Sequence, residues 1–126
     1  MIAGNETFSE VNNEFALAGY PVLAESKTIA SGAGALVAGT VLGKVTATGK
    51  FIASDEAAVD GSQTAAAILA VDVDATAADV DNVPIFVSGL FDGGKLTYAG
   101  NHDADTVNAD FEGTPLFVRT ALALQS

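Results

Sequence analysis

The chain has 126 residues, of which 5 are Lys or Arg and 16 are Asp or Glu, so its formal net charge is -11. This length allows a single domain, or a small domain that carries an arm. The negative charge argues against nucleic acid and anionic membrane surfaces as direct partners, because both would repel it. A protein with a basic surface remains a suitable partner.

The composition also limits the chemistry that the chain can perform. It contains no Cys, which excludes disulfides, thiolate metal sites and a cysteine nucleophile. Residues 1–6 have neither the basic region nor the apolar region of a signal peptide. The uncharged stretch 28–43 is shorter than a membrane-spanning helix and is interrupted by glycines. We therefore expect no membrane partner.

The first part of the chain differs from the rest. Residues 1–19 contain no Lys or Arg, and their apolar residues are too sparse for a helix stripe or a strand face. Two interpretations remain open. One is a frayed terminus, and the other is an arm that becomes ordered on a partner, with Phe8 and Phe15 as anchors. We accordingly divide the chain into an arm, 1–19, and a β-rich domain, 20–126.

Short apolar runs separated by Gly and polar residues predict strands and tight turns in the first half of the domain. The predicted elements up to Ala53 are an extended run at 21–24, a turn at 31–34, a strand at 36–45 interrupted by Gly39 and Gly43, a hairpin turn at 46–49 and its return strand at 51–53. A polar connection with room for one helical turn follows at 54–61.

The second half continues the β pattern. Residues 64–73 are apolar and rich in Ala, so a helix competes with a strand, but the β-branched residues favour the strand. The remaining predicted elements are an alternating strand at 83–91 with Ile85, Val87 and Phe91 on one face, a hairpin at 92–98, a helix at 102–111 capped by Asp103, and a last strand at 116–124. About seven short strands and one short helix predict a small all-β domain.

None of the residue clusters that could carry chemistry completes a known motif. The acidic segment 72–81 lacks the Gly and Glu of an EF-hand loop, which leaves an irregular calcium site or a solvated loop as alternatives. Lys44 and Lys50 follow glycines but lack the rest of a phosphate-binding loop, so we expect both to be solvent-facing hairpin residues. We expect neither a catalytic site nor a cofactor.

His102 is the single histidine of the chain and is the residue type that most often serves as a general base. It lies near Asp103 and Asp105, but the sequence shows neither a serine nucleophile motif nor a cysteine for it to activate. We therefore expect His102 to be a loop residue next to the start of the helix.

Three ordered blocks at 39–50, 60–79 and 87–91 resemble the bacteriophage head decoration protein family of the phage lambda type. The resemblance covers about 37–98, with weaker similarity at both ends, including Glu6, Thr7 and Phe8. It implies a small β-clip-like domain that sits as a homotrimer at three-fold positions on the outer surface of the virion. There it binds the major capsid protein and stabilises the expanded shell. It also implies that Glu6, Thr7 and Phe8 belong to a capsid-binding arm, to which we add Phe15.

Two other classes of function compete with this interpretation. The first is another surface module, such as a phage head spike or a secreted β-domain that binds a cell-surface ligand. The second is a small acidic enzyme or a cofactor carrier. A carrier domain would present a modified Lys at a hairpin tip, and Lys50 lies beside such a tip without the neighbours that those domains use.

Overall fold

The computed structural model describes residues 22–119. This part of the chain is mostly β-structure with one short helix, which confirms the predicted all-β class. The strands are β1 (Leu23–Ile29), β2 (Gly34–Leu36), β3 (Val41–Lys44), β4 (Phe51–Ala53), β5 (Ala65–Leu69), β6 (Val73–Ala75), β7 (Val80–Asp92) and β8 (Leu116–Arg119). A 3-10 turn at Gly93–Lys95 and the helix α1 (Ala104–Asp110) lie between β7 and β8.

Five of the strands form a closed ring. The main sheet has the order β1-β4-β3-β5-β7-β8, and β1 also pairs antiparallel with β7, which joins the two sides. Strand β8 then extends the sheet by pairing parallel to the second half of β7. Strands β2 and β6 form a separate antiparallel pair. Closing the ring reduces the exposed strand edges that would otherwise favour aggregation.

The long strand β7 separates two hydrophobic clusters. Phe86 and Phe91 pack together in the first cluster, with ring centroids 5.6 Å apart, and that cluster also receives Val107 and Phe111 from the helical region. Ile85 belongs to the second cluster, on the side of β2, β4 and β6. Both sides of β7 are therefore buried, and this strand is a wall shared by two small cores.

The predicted facing of β7 was wrong for Phe91, because Ile85 and Phe91 lie in different clusters. Strict alternation would place both side chains on one face. Between them Gly89 adopts a φ of 147°, a conformation that L-residues rarely adopt. At this point β7 also changes partner, from β1 and β5 to β8. The backbone change at Gly89 thus redirects the second half of the strand.

The predicted hairpin at 92–98 was also wrong. The Asp92 side chain accepts a hydrogen bond from the Gly94 amide and caps the 3-10 turn, so the chain does not return along β7. Instead Thr97 forms a parallel bridge with Thr40, next to the start of β3. Gly93 fits closely against Val118, and a Cβ there would lie 2.9 Å from a valine methyl. The Asp92-Gly93-Gly94 segment is therefore part of a closely packed connection between β7 and α1.

The remaining predictions differ mainly in their boundaries. The predicted strand at 36–45 is two strands, β2 and β3, separated at Gly39, whereas Gly43 lies inside β3. The 64–73 run forms a strand, as predicted, but β5 ends at Leu69 and Val73 begins β6. The β3–β4 hairpin is confirmed, and Gly49 takes the positive φ of 74° that its turn requires.

The helix prediction is confirmed with a shorter extent. Asp103 is the N-cap of α1, and Asp103 and Thr106 form a capping box in which each side chain bonds the other residue's backbone amide. Val107 and Phe111 then point into the first cluster. A helix of seven residues is marginal in isolation, so its stability comes from this cap and from packing against β5 and β8.

Candidate interaction surface

The predicted arm residues Glu6, Thr7, Phe8 and Phe15 lie outside the described residues 22–119. Their role in binding stays a prediction. The candidate surface is therefore built from the charged and exposed side chains of the described domain.

All five cationic residues of the chain lie within the described part. Two of them form ion pairs: Lys27 with Glu25 at 3.6 Å, and Lys50 with Asp79 at 2.5 Å. Lys50 is thus partly covered by its partner, whereas Lys44 is solvent-facing as predicted. Lys44, Lys95 and Arg119 form no ion pair with the described residues and are exposed.

The acidic segment 72–81 is held by hydrogen bonds to neighbouring strands and loops. Asp72 accepts from the Ala38 amide at 2.8 Å, and Asp81 accepts from the Thr28 hydroxyl at 2.9 Å. Asp79 accepts from Lys50 and from the Ser31 amide. The hydrogen bond from Lys50 has the largest effect and the one from Ser31 adds to it, and both lower the pKa of the Asp79 carboxyl. Within residues 22–119, no group of three or more acidic or histidine side chains is arranged to hold a metal ion.

An apolar groove runs along the small β2–β6 sheet. Its volume is about 310 Å³. It is lined by Ala35, Leu36, Val37, Asp72, Val73 and Asp74. Val37 is 51% exposed, and the two aspartates belong to a lining that is otherwise apolar. Hydrogen bonds from Thr76 lower the pKa of Asp74, which favours its charged form. The groove thus suits an apolar side chain accompanied by a cation.

His102 lies just before α1, as expected, and its side chain is buried. Its Nε2 lies 2.9 Å from the carbonyl oxygen of Gln63 and 3.0 Å from Ser54 Oγ. Because a carbonyl oxygen only accepts, Nε2 carries the ring proton. Nδ1 lies 2.9 Å from the Thr106 hydroxyl. The ring therefore connects both ends of the 54–64 loop to the N-terminus of the helix.

The arrangement around His102 differs from a catalytic triad. Ser54 is fully buried and donates its hydroxyl proton to the Ser62 carbonyl oxygen at 2.7 Å. The carboxylate of Asp110 lies 3.8 Å from Nε2, on the same ring nitrogen as Ser54. A triad requires the acid on the opposite nitrogen, where His102 meets Thr106 instead. The sequence contained no signal for this contact, because the partners are distant in the chain.

The middle of the 54–64 loop is held by hydrogen bonds at Asp60, beside an exposed apolar side chain. Asp60 accepts hydrogen bonds from the Ser62 amide and hydroxyl, and its carbonyl oxygen accepts from the Thr46 amide. The bonds from Ser62 lower the pKa of Asp60. Beside it, Val59 is 95% exposed. The loop contains turns but no helix, so the single helical turn for which the sequence left room does not form here.

No helix among the described residues has the length and apolar character needed to cross a bilayer. The exposed large apolar side chains of residues 22–119 are instead spread over the surface: Leu23, Val37, Val59 and Phe117. Single exposed apolar residues of this kind are normal on a protein surface and do not by themselves mark a binding site.

A comparison with known protein families identifies the family of this chain. The family model of the bacteriophage lambda head decoration protein D matches residues 7–115. The chain belongs to this family. No curated protein matches the chain significantly.

Membership of the head decoration family gives the general role. The chain is a phage capsid decoration protein, and its place is the capsid of the virion. The head decoration family is structural rather than enzymatic. Its partner is accordingly the capsid. The family match favours the capsid role over the alternatives of another surface module or a cofactor carrier.

Proposed function

We propose that this head decoration protein binds the outside of the expanded head at three-fold positions, as a homotrimer, and stabilises the shell. The observation that carries the proposal is the family match over residues 7–115, which spans nearly the whole chain. Stabilisation here means that one decoration trimer contacts several major capsid protein subunits. Separating those subunits then requires breaking the decoration contacts as well.

The proposal divides the work between two parts of the chain. Residues 1–19 act as the capsid-binding arm, and residues 20–126 form the β-clip-like domain that assembles into the trimer. The family match begins at Thr7, so the arm segment with Phe8 and Phe15 is included in it. An arm that adds a strand to a capsid sheet would supply backbone hydrogen bonds, and its phenylalanines would fill pockets.

The charge of the chain supports this partner. Residues 1–26 contain four Glu and no Lys or Arg, so the side of the chain that would meet the capsid is strongly acidic. The matching strip on the major capsid protein should then be basic or neutral. The same charge disfavours contact with packaged DNA. Binding to heads should weaken as salt rises, because the attraction between exposed charges is screened.

The many equivalent sites on a head add to the effect. A trimer that presents three arms binds its second and third sites at a high effective concentration. Each arm contact needs only moderate affinity, because the loss of one arm leaves the trimer attached. A monomeric variant should therefore bind heads much more weakly than the trimer.

The test adds the protein to expanded, undecorated heads of its own phage and measures bound copies and thermal stability. We expect saturation at three copies per three-fold site and a higher disruption temperature. Deleting residues 1–15 should abolish binding, and Phe8→Ala and Phe15→Ala should weaken it. Val59→Ala is the matched control, because it removes an exposed apolar side chain from the domain instead of the arm. Failure of the full chain to bind, or full binding without residues 1–15, would contradict the proposal.

A further inference from the structure

We propose that Val22 is the positioning residue that fixes the direction in which the arm, residues 1–19, leaves the domain. This inference rests on the proposed function, in which the arm binds the capsid, and adds how the domain presents the arm to it. Three features meet at this point of the fold: the end of the β1–β7 ladder, a notch at Gly89 and the side chain of Val22 in that notch.

The ladder between β1 and β7 stops just before Val22. Its last pair sets Leu23 opposite Ser88, and from Gly89 onward β7 pairs with β8 instead. The Gly89 amide donates to the Pro115 carbonyl oxygen at 3.0 Å, so it is not free to extend the ladder of β1. Among the described residues, no ladder pair therefore holds Val22, and its side chain has to do so.

Gly89 leaves a notch that the Val22 and Phe91 side chains fill. A Cβ added at Gly89 would lie 2.8 Å from Val22 Cγ1 and 2.9 Å from Phe91 Cζ, so both side chains occupy the space that a larger residue would need. Val22 is half-buried and packs against the first cluster, whereas the neighbouring Leu23 is 57% exposed. The chain is thus fixed to the core at Val22.

The sequence on the arm side of Val22 favours a stiff junction. The next residue is Pro21, and a proline ring fixes its own φ at about −65°. A proline also restricts the residue before it, Tyr20, to extended conformations. A direction set by the seat of Val22 is therefore carried over several residues into the arm.

A fixed direction matters for binding because each arm has to be ordered on the capsid. Part of that ordering is complete before binding when the junction is already fixed, which raises affinity without any new contact. Fixing the backbone of one residue lowers an equilibrium constant by roughly 5- to 30-fold. A loose junction at Val22 should therefore weaken the binding of each arm by about tenfold.

Pulsed electron paramagnetic resonance measures the direction of the arm, because the natural chain has no Cys and accepts spin labels at chosen positions. Ala18→Cys labels the arm close to the junction, and Ala47→Cys labels the exposed tip of the β3–β4 hairpin. The labelled chain is diluted into unlabelled chain, so that only distances within one copy contribute. We expect a narrow distribution of distances between the two labels when Val22 is present.

Three variants separate the seat of Val22 from other effects. Val22→Ala empties the notch, so it should broaden the distance distribution and weaken head binding by about tenfold. Leu23→Ala is the matched control, because it shortens an exposed apolar side chain one residue away, and it should change neither. Val22→Thr keeps the branched shape and should retain most of the restraint. Urea unfolding of each variant confirms that the domain is folded.

Two results of the distance measurement would overturn the inference. They are a distribution as broad with Val22 as with Val22→Ala, and equal broadening by Leu23→Ala. If Val22→Ala broadens the distribution but binds heads as tightly as the natural chain, the positioning role fails and the proposed function stands. If the natural chain does not bind heads at all while Val22→Ala still broadens the distribution, the proposed function fails and the restraint of the arm by Val22 stands.

Discussion

Replacing His102 with Ala should cost much of the stability of this domain. The ring is buried, and it bonds the Gln63 carbonyl oxygen, the Ser54 hydroxyl and the Thr106 hydroxyl. Each lost hydrogen bond costs about 1 kcal/mol, and the Gln63 carbonyl oxygen loses this partner. Removing the ring also leaves a cavity. We expect a loss of about 2–4 kcal/mol, which for a domain of this size lowers Tm by roughly 10–20 °C.

Urea unfolding at pH 7, followed by circular dichroism, measures this loss. With an m-value of about 1–3 kcal/mol/M, the midpoint should fall by roughly 1–2 M without a change in slope. His102→Gln keeps a donor near the position of Nε2 and should recover part of the loss. Asn101→Ala, at the exposed neighbouring position, should be close to neutral. A loss below about 0.5 kcal/mol for His102→Ala would refute the role of the ring as a connection between loop and helix.

Three further predictions concern close packing and titration. Gly43→Ala should destabilise the domain by about 1–3 kcal/mol in urea unfolding, because its Cβ would lie 2.0 Å from the Ser62 carbonyl oxygen; Gly94→Ala meets only an ordinary contact and should be mild. The lowered pKa of Asp79 stabilises the fold above its unfolded pKa of 3.8, and this contribution is lost as the pH falls through the folded value. Asp79→Asn should therefore show a smaller loss of stability between pH 7 and pH 3 than the natural chain; an equal loss would contradict this. Burial raises the pKa of Tyr98 to about 12, so its stabilising effect is present below pH 10 and is lost as the pH rises towards 12. Tyr20 is the other tyrosine of the chain, so ultraviolet titration of Tyr20→Phe reports Tyr98 alone and should show ionisation near pH 12. Ionisation near pH 10 with the fold intact would be inconsistent with that burial.

The local elements of this fold could be predicted where short-range chemistry determines them. The β3–β4 hairpin follows from Gly49 and the flanking apolar residues, and the start of α1 follows from Asp103. In both cases the partners lie within a few residues of one another. The all-β class follows from the same short signals, because many brief apolar runs separated by turns leave few alternatives.

The errors arose where distant parts of the chain decide the conformation. Asp92-Gly93-Gly94 has the composition of a hairpin turn, but the packing of Gly93 against Val118 and the bridge between Thr97 and Thr40 override it. The two-sided burial of β7 was missed for a related reason. A pattern of alternating residues assumes one partner sheet, whereas this strand separates two clusters.

The candidate site was less predictable than the fold. The family was recognisable from three ordered blocks of sequence, and the match over residues 7–115 confirms it. The β2–β6 groove was not foreseen, because its floor combines residues from two strands that lie far apart in the chain. The hydrogen bonds of His102 to Ser54 and Gln63 were not foreseen for the same reason, because these residues also lie far apart in the chain. Contacts of this kind leave no local pattern in a single sequence.

The pairing of β1 with β7 has a mechanical consequence. β1 begins at Leu23, so a pull transmitted from the N-terminal residues enters the domain along this strand. Its antiparallel register runs from Leu23 opposite Ser88 to Ile29 opposite Val80. A pull parallel to the strand loads these hydrogen bonds together in shear, whereas a pull across it would open them one at a time. If residues 1–19 hold the capsid and the pull runs along β1, this pairing with β7 resists it in shear.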